Sequence, residues 1–154
     1  MSISPRNLWP EDIAVTQVVA PVAILKEQAS KLGEITKNLV EGSVKQNFSD
    51  LGGLLFPKPS RKSRATHSED DLYEGDFRYD FDLVAPALNN YRYRLFSISH
   101  GVEFYPLIIT NCVALNGSDH QITDEEEFLT ALETIFSSEK TRGIISSLIA
   151  QSRA

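Results

Sequence analysis

Residues 76–111, DFRYDFDLVAPALNNYRYRLFSISHGVEFYPLIITN, hold the alternation that decides the fold. Phe77, Tyr79, Phe81 and Leu83 stand two apart and share one side of an extended chain, with Arg78, Asp80 and Asp82 on the other, which is the pattern of a half-buried strand. Pro86 closes this run, Asn89-Asn90 supplies residues that tolerate left-handed backbone, and a second run opens with Tyr91, Tyr93 and Leu95 on one side. Phe96 and Ile98 then fall on the other side, so the strand needs either a β-bulge or a second, partly covered face. His100-Gly101 makes the next corner. Phe104 to Thr110 reads as a third strand, with Pro106 at an edge or bulge because proline cannot donate to the ladder. Strands that follow one another directly, with charge on their polar side, specify an antiparallel sheet and argue against a parallel one covered on both faces.

Upstream of the sheet the period changes from two to three and four. Val22, Leu25, Ala29, Leu32 and Ile35 form one stripe, with Lys26, Glu27, Lys31, Glu34 and Lys37 largely opposite, which predicts an amphipathic helix of about four turns entered at Pro21. Asn38 stops it. Within 39–48 Val40, Gly42 and Val44 then alternate as a short strand would, while Leu39, Val40 and Val44 also suit an extension of the helix; the strand is the favoured reading. The first ten residues read as an arm over the surface with Trp9 anchored on the core. Ile13 to Leu25, IAVTQVVAPVAIL, is well short of the roughly 20 apolar residues that span a bilayer. Glu11 and Asp12 stand where a secretory leader would be basic, so this run reads as a buried strand or helix entry.

Downstream, Asn116 to His120 supplies turn residues. Thr123 or Asp124 caps a helix, with Glu126 or Glu127 three residues on and Phe128, Leu129, Leu132, Ile135 and Phe136 as its buried stripe. Ser137-Ser138 breaks that helix and caps a second, which carries Ile144, Ile145, Leu148 and Ile149 inward. The expected fold is α+β: a small antiparallel sheet of three to four strands, with an N-terminal helix and two C-terminal helices packed on one face. Residues 1–154 are expected to form one domain with a long polar loop at about 47–75.

Composition narrows the function classes. A chain of 154 residues, 42% apolar and 23% charged, is an ordinary globular domain able to bury roughly 70% of its unfolded surface. A net charge of −6 disfavours a nucleic-acid footprint over the whole surface. Cys112 stands alone, so no internal disulfide forms, and with no leader the expected compartment is the cytoplasm. No P-loop, dinucleotide glycine pattern, HExxH, GxSxG or zinc spacing is present.

The candidates for chemistry are few. Asp80 and Asp82 share one side of the first strand, and with His100 and Glu103 they would make a carboxylate-rich cluster of the kind metal-assisted hydrolases and nucleases use. Their separation is not fixed by any ligand spacing, so no metal or cofactor is assigned. The plainer account is opposite-charge pairing of these aspartates with Arg92 and Arg94 across a hairpin. Cys112 sits among Ile108, Ile109 and Val113, the setting of a buried thiol and not of a nucleophile. Tyr91 and Tyr93 alternate with the two arginines, so a base-stacking platform would require the tyrosines to face outward, whereas strand aromatics commonly face the core.

The long loop holds an apolar segment with Leu54, Leu55 and Phe56, then a basic run of Lys58, Arg61, Lys62 and Arg64, then an acidic run. Loops of this length are uncommon in compact domains unless they are functional or disordered. The expectation is a small protein-binding module of inhibitor or immunity type, using those seven residues on a protein partner. An enzyme built on the carboxylate and histidine cluster, and a nucleic-acid-binding module, are the alternatives. The chain is expected to be monomeric, or a homodimer if Phe104 to Thr110 is an uncovered edge.

Overall fold

A computed structural model describes residues 6–47 and 76–154. The elements run α1 (Pro21–Ile35), β1 (Glu41–Gln46), β2 (Phe77–Ala85), β3 (Tyr91–His100), β4 (Leu107–Thr110), β5 (His120–Ile122), α2 (Glu125–Ser137) and α3 (Glu139–Ser152). The five strands form one antiparallel meander in the order of the chain. The architecture is the expected α+β arrangement with five strands in place of three or four. The additions lie at the sheet's ends: β1, read from the alternation of Val40, Gly42 and Val44, and the three-residue β5, whose sequence reads as turn. β4 begins at Leu107, after a cis Tyr105-Pro106 bond, and lies between β3 and β5. The sheet edges among the described residues are therefore β1 and β5, and not the Phe104 to Thr110 run.

The parity change in β3 is a bulge. Phe81 pairs with Phe96 and Asp82 with Arg94, so Leu95 is the extra residue and everything beyond it changes side. Leu83 and Ala85 thus share a face with Tyr93 and Tyr91, while Phe81 and Tyr79 share that same face with Phe96 and Ile98. Asparagines take the tight positions: Asn38, Asn89, Asn90, Asn111 and Asn116 all have left-handed backbone, which asparagine tolerates better than most residues.

This face is the core. Phe81 and Phe96 stack at 5.2 Å between ring centroids and both meet Phe136 of α2, and Leu25, Ile98, Leu107, Ile109, Phe128, Ile135 and Leu148 close around them. α1 lies directly on β1, since a Cβ on Gly42 would stand 2.6 Å from Ala29 Cβ and 3.2 Å from Phe81 Cζ. Only glycine allows that approach. Asp124 caps α2 by accepting from Glu127 N–H at 2.8 Å, and Glu127 reaches back to the N–H and hydroxyl of Thr123. Ser138 ends α2 and caps α3 through Thr141 N–H.

Two expectations upstream fail. Trp9 is 70% exposed and not anchored on the core, and Ile13, Val15, Val18 and Val19 are exposed as well. The run expected to be buried from Ile13 enters the core only at Ile24 and Leu25, after Pro21 has started α1. Ile35 ends α1 exposed, and Leu129 of α2 is nearly half exposed. Among the described residues no helix is long and apolar enough to cross a membrane.

Candidate protein-interaction surface

The side of the sheet away from the helices is polar because β1, β2 and β3 alternate in step. Glu41, Ser43 and Lys45 pair with Val84, Asp82 and Asp80, and those in turn with Arg92, Arg94 and Ser97. Opposed residues in antiparallel strands point to the same side. Asp82 is buried to 5% exposure, accepts from Arg94 Nε and lies 3.6 Å from Arg92 Nε. Asp80 accepts from Ser97 Oγ at 2.7 Å and faces Arg94 across 3.3 Å. Arg92 also donates to Ser43 Oγ at 2.8 Å. The hydrogen bond to Asp82, with the charge of both aspartates, pushes Arg94 above the usual arginine value against the opposing effect of its partial burial. The two carboxylates are occupied by cations and hydroxyls, an arrangement that fixes register and leaves little capacity for a divalent ion.

His100 is not part of that cluster. It pairs with Phe77, so it stands on the helix side of the sheet while Asp80 and Asp82 stand on the other. Its ring packs among Phe77, Tyr79 and Phe104 at centroid distances of 5.7, 6.0 and 5.6 Å. Nδ1 donates to the Gly101 carbonyl at 2.7 Å, and Nε2 is buried with no hydrogen-bond partner among the described residues. Glu103 is exposed in the corner between β3 and β4. The structure thus brings Asp80 and Asp82 together and separates His100 from them; among the described residues no three His, Cys, Asp or Glu side chains converge on a point that would hold a metal ion. Cys112 is buried, and burial pushes its thiol above the ordinary value, which disfavours the thiolate a nucleophile needs.

The tyrosines of β3 occupy an intermediate place. They lie on the helix side, beyond the end of the packed core, and with Leu88, Ile144 and Leu148 they line an open cleft of about 740 Å³ against α3. Glu139 and Lys140 stand at its rim.

The most exposed apolar surface lies where the sequence pattern points to burial. Leu8, Trp9, Ile13, Val15 and Val18 are each more than 60% exposed, on a segment whose hydrogen bonds are all local: Trp9 N–H to Asn7 Oδ1, Ile13 N–H to Pro10 O, Val15 N–H to Asp12 O and Val18 N–H to Thr16 Oγ1. Among the described residues no hydrogen bond ties 7–19 to the body of the domain. The signal that would have found it is β-branched alternation in IAVTQVV next to a proline that starts a helix. Among the described residues the outer edge of β1 pairs with no strand. A shallow groove of about 410 Å³ runs along that edge against α1, with Val44, Gly42 and Ala29 in its floor.

The seven loop residues expected to meet a partner, Leu54, Leu55, Phe56, Lys58, Arg61, Lys62 and Arg64, lie outside the described residues. No protein-family model matches the chain, and no curated protein and no solved structure is significantly similar to it.

Proposed function

We propose that this chain is a protein-binding module whose contact surface is the N-terminal arm. The observation that carries this reading is Trp9 at 70% exposure among four further exposed large apolar side chains on one segment of the chain. Monomeric soluble proteins rarely leave contiguous apolar side chains in water without a binding role, and tryptophan is among the commonest residues at the energetic centre of protein interfaces. The engagement of Asp80 and Asp82 by arginines, with His100 across the sheet, supports binding over the hydrolytic alternative. The pairing of Arg92 and Arg94 with carboxylates likewise speaks against phosphate contact. An inhibitor or immunity role is the finer form of the proposal: the acidic surface outside the arm, on a chain of net charge −6, would suit a basic partner, since complementary potentials speed encounter and reject wrong partners.

The test is a photo-crosslinking side chain at position 9 of the full-length protein, irradiated in an extract of the cells that make it. A polypeptide adduct, to this chain or another, should form at position 9 well above the level at the exposed control position Lys31. Equal labelling at the two positions would refute the reading.

A further inference from the structure

Resting on that reading of the arm, we propose that its partner is a second copy of the same chain, and that residues 12–16 of one copy add as an antiparallel strand to the open edge of β1 in the other. The arrangement is reciprocal and two-fold, with Asp12 opposite Lys45, Ile13 opposite Val44 and Val15 opposite Gly42.

Three observations converge on it. First, β1 pairs with β2 alone among the described residues, so one row of its backbone donors and acceptors faces outward. An uncovered edge of this kind is a template for another strand. Second, the arm has the composition of such a strand, and the turns at 11–14, closed by Ile13 N–H to Pro10 O and Val15 N–H to Asp12 O, would open on pairing. Among the described residues its backbone makes only local hydrogen bonds, and Ile13, Val15, Thr16, Val18 and Val19 are β-branched.

Third, one register satisfies both faces and the charges. Val44 pairs with Phe81 and Gly42 with Leu83, so both lie on the helix side of the sheet, where the groove along α1 is open. With Asp12 opposite Lys45, Ile13 and Val15 enter that side, and Ala14 and Thr16 join Ser43 and Glu41 on the polar side. Val15 falls opposite Gly42, which has no side chain to oppose it. The same pairing of faces with the arm run parallel, Ile13 opposite Gly42 and Val15 opposite Val44, would set Asp12 against Glu41, and like charges directly opposed repel.

This register also bears on whether the arm is the chain's own or another copy's. α1 runs back along β1, with Gly33 beside Glu41 and Ala29 beside Gly42. Pro21, twelve residues before Gly33, lies about 18 Å from it along the helix axis. In this register Thr16 stands opposite Glu41 and the arm runs on past that end of β1, so the chain's own arm would have to reverse and return towards Pro21 within residues 17–20. A second copy has no such constraint. In the paired strands each subunit would contribute the five arm residues 12–16 and the five of β1 that face them, Glu41 to Lys45.

The experiment is sedimentation of the full-length protein over a range of concentrations, with charge variants at the paired positions. The chain should dimerise. Asp12→Lys should weaken the dimer by roughly tenfold, because it places like charges at two symmetry-related pairs; Lys45→Asp should do the same, and because Lys45 also stands opposite Asp80 in its own subunit, its effect is read against the thermal midpoint of the diluted monomer. The double variant should recover most of the loss, which a nonspecific effect of either change would not do. Val15→Asp should abolish association while leaving the thermal midpoint of the diluted monomer unchanged. A chain that stays monomeric at millimolar concentration overturns the proposal, as does a dimer indifferent to Val15→Asp or one in which the double charge variant is weaker than either single. If the chain is monomeric yet the position 9 probe captures a different protein, this inference fails and the reading of the arm as a binding surface stands.

Discussion

Replacing Gly42 by alanine tests whether α1 rests with its backbone directly on β1. The added methyl would meet Ala29 Cβ at 2.6 Å, Ala29 Cα at 2.7 Å and Phe81 Cζ at 3.2 Å. The Phe81 ring can yield by a few tenths of an ångström, but the backbone of Ala29 belongs to a helix held by Leu25 and Ile24 in the core, so α1 must move as a unit. Overpacking of this kind costs about 1–3 kcal/mol. Removing a glycine from a strand returns roughly 0.5–1 kcal/mol through lower unfolded-state entropy. The steric effect is the larger, and a net loss of about 1–2 kcal/mol is expected. With a urea m-value of about 2 kcal/mol/M, the unfolding midpoint should fall by about 0.5–1 M. Ala29→Gly in the same chain should restore part of the loss and not all of it, because the clash with the helix backbone at 2.7 Å survives and the helix gains an unfavourable glycine worth about 1 kcal/mol. A Gly42→Ala protein as stable as its parent, or strict additivity of the two changes, would refute the packing argument.

Two further outcomes are expected. Asp82→Asn should cost about 1–2 kcal/mol in urea unfolding, a figure held below that of a fully buried pair because Arg92 and Arg94 are about a third to a half in solvent; combined with Arg94→Gln it should show coupling, and additivity within about 0.3 kcal/mol would remove the ion pair as the cause. Tyr105 is pushed up to about 12, first by burial and then by the negative charges of Glu125 and Asp124. Its unfolded value is about 10, so the contribution is fully present below pH 10 and is lost as pH rises towards 12; Tyr105→Phe should flatten the alkaline fall in stability, and an unchanged slope would count against the buried phenol.

The sheet, its hairpins and the three helices were legible because their signals are local. Alternation in β2, the Asn89-Asn90 corner and the Ser137-Ser138 break each specify geometry within a few residues. The bulge at Leu95 was visible as a parity conflict but not resolvable, since two structures satisfy the same pattern until the partner strand's register is known. β5 was missed because three residues, His120 to Ile122, are too few for any period and are strand only by virtue of pairing with β4. The cluster of Asp80, Asp82, His100 and Glu103 failed as a site for the reason β3 is irregular. The bulge puts His100 on the side of Phe81 and Phe96, whereas unbroken alternation from Tyr91 and Tyr93 would have put it on the side of the arginines and aspartates.

The arm is the most instructive failure. Ile13, Val15, Val18 and Val19 read as buried because hydrophobic pattern reports which residues gain by leaving water, and nothing in that gain requires the covering surface to come from the same chain. In the folded domain Pro21 starts α1 and turns the chain into the core at Ile24, leaving the preceding residues outside it. Four large side chains at 44–76% exposure are therefore a deficit, each worth about 1.5–3 kcal/mol if fully buried. Burying these side chains in both copies would set a gain of that kind against the roughly 4–15 kcal/mol an association costs in lost freedom. The expectation of a buried strand or helix entry thus fails in the folded domain, and only the proposed assembly, in which Ile13 and Val15 would lie against Val44 and Gly42, would meet it. The difference between the two is the sedimentation behaviour of Val15→Asp.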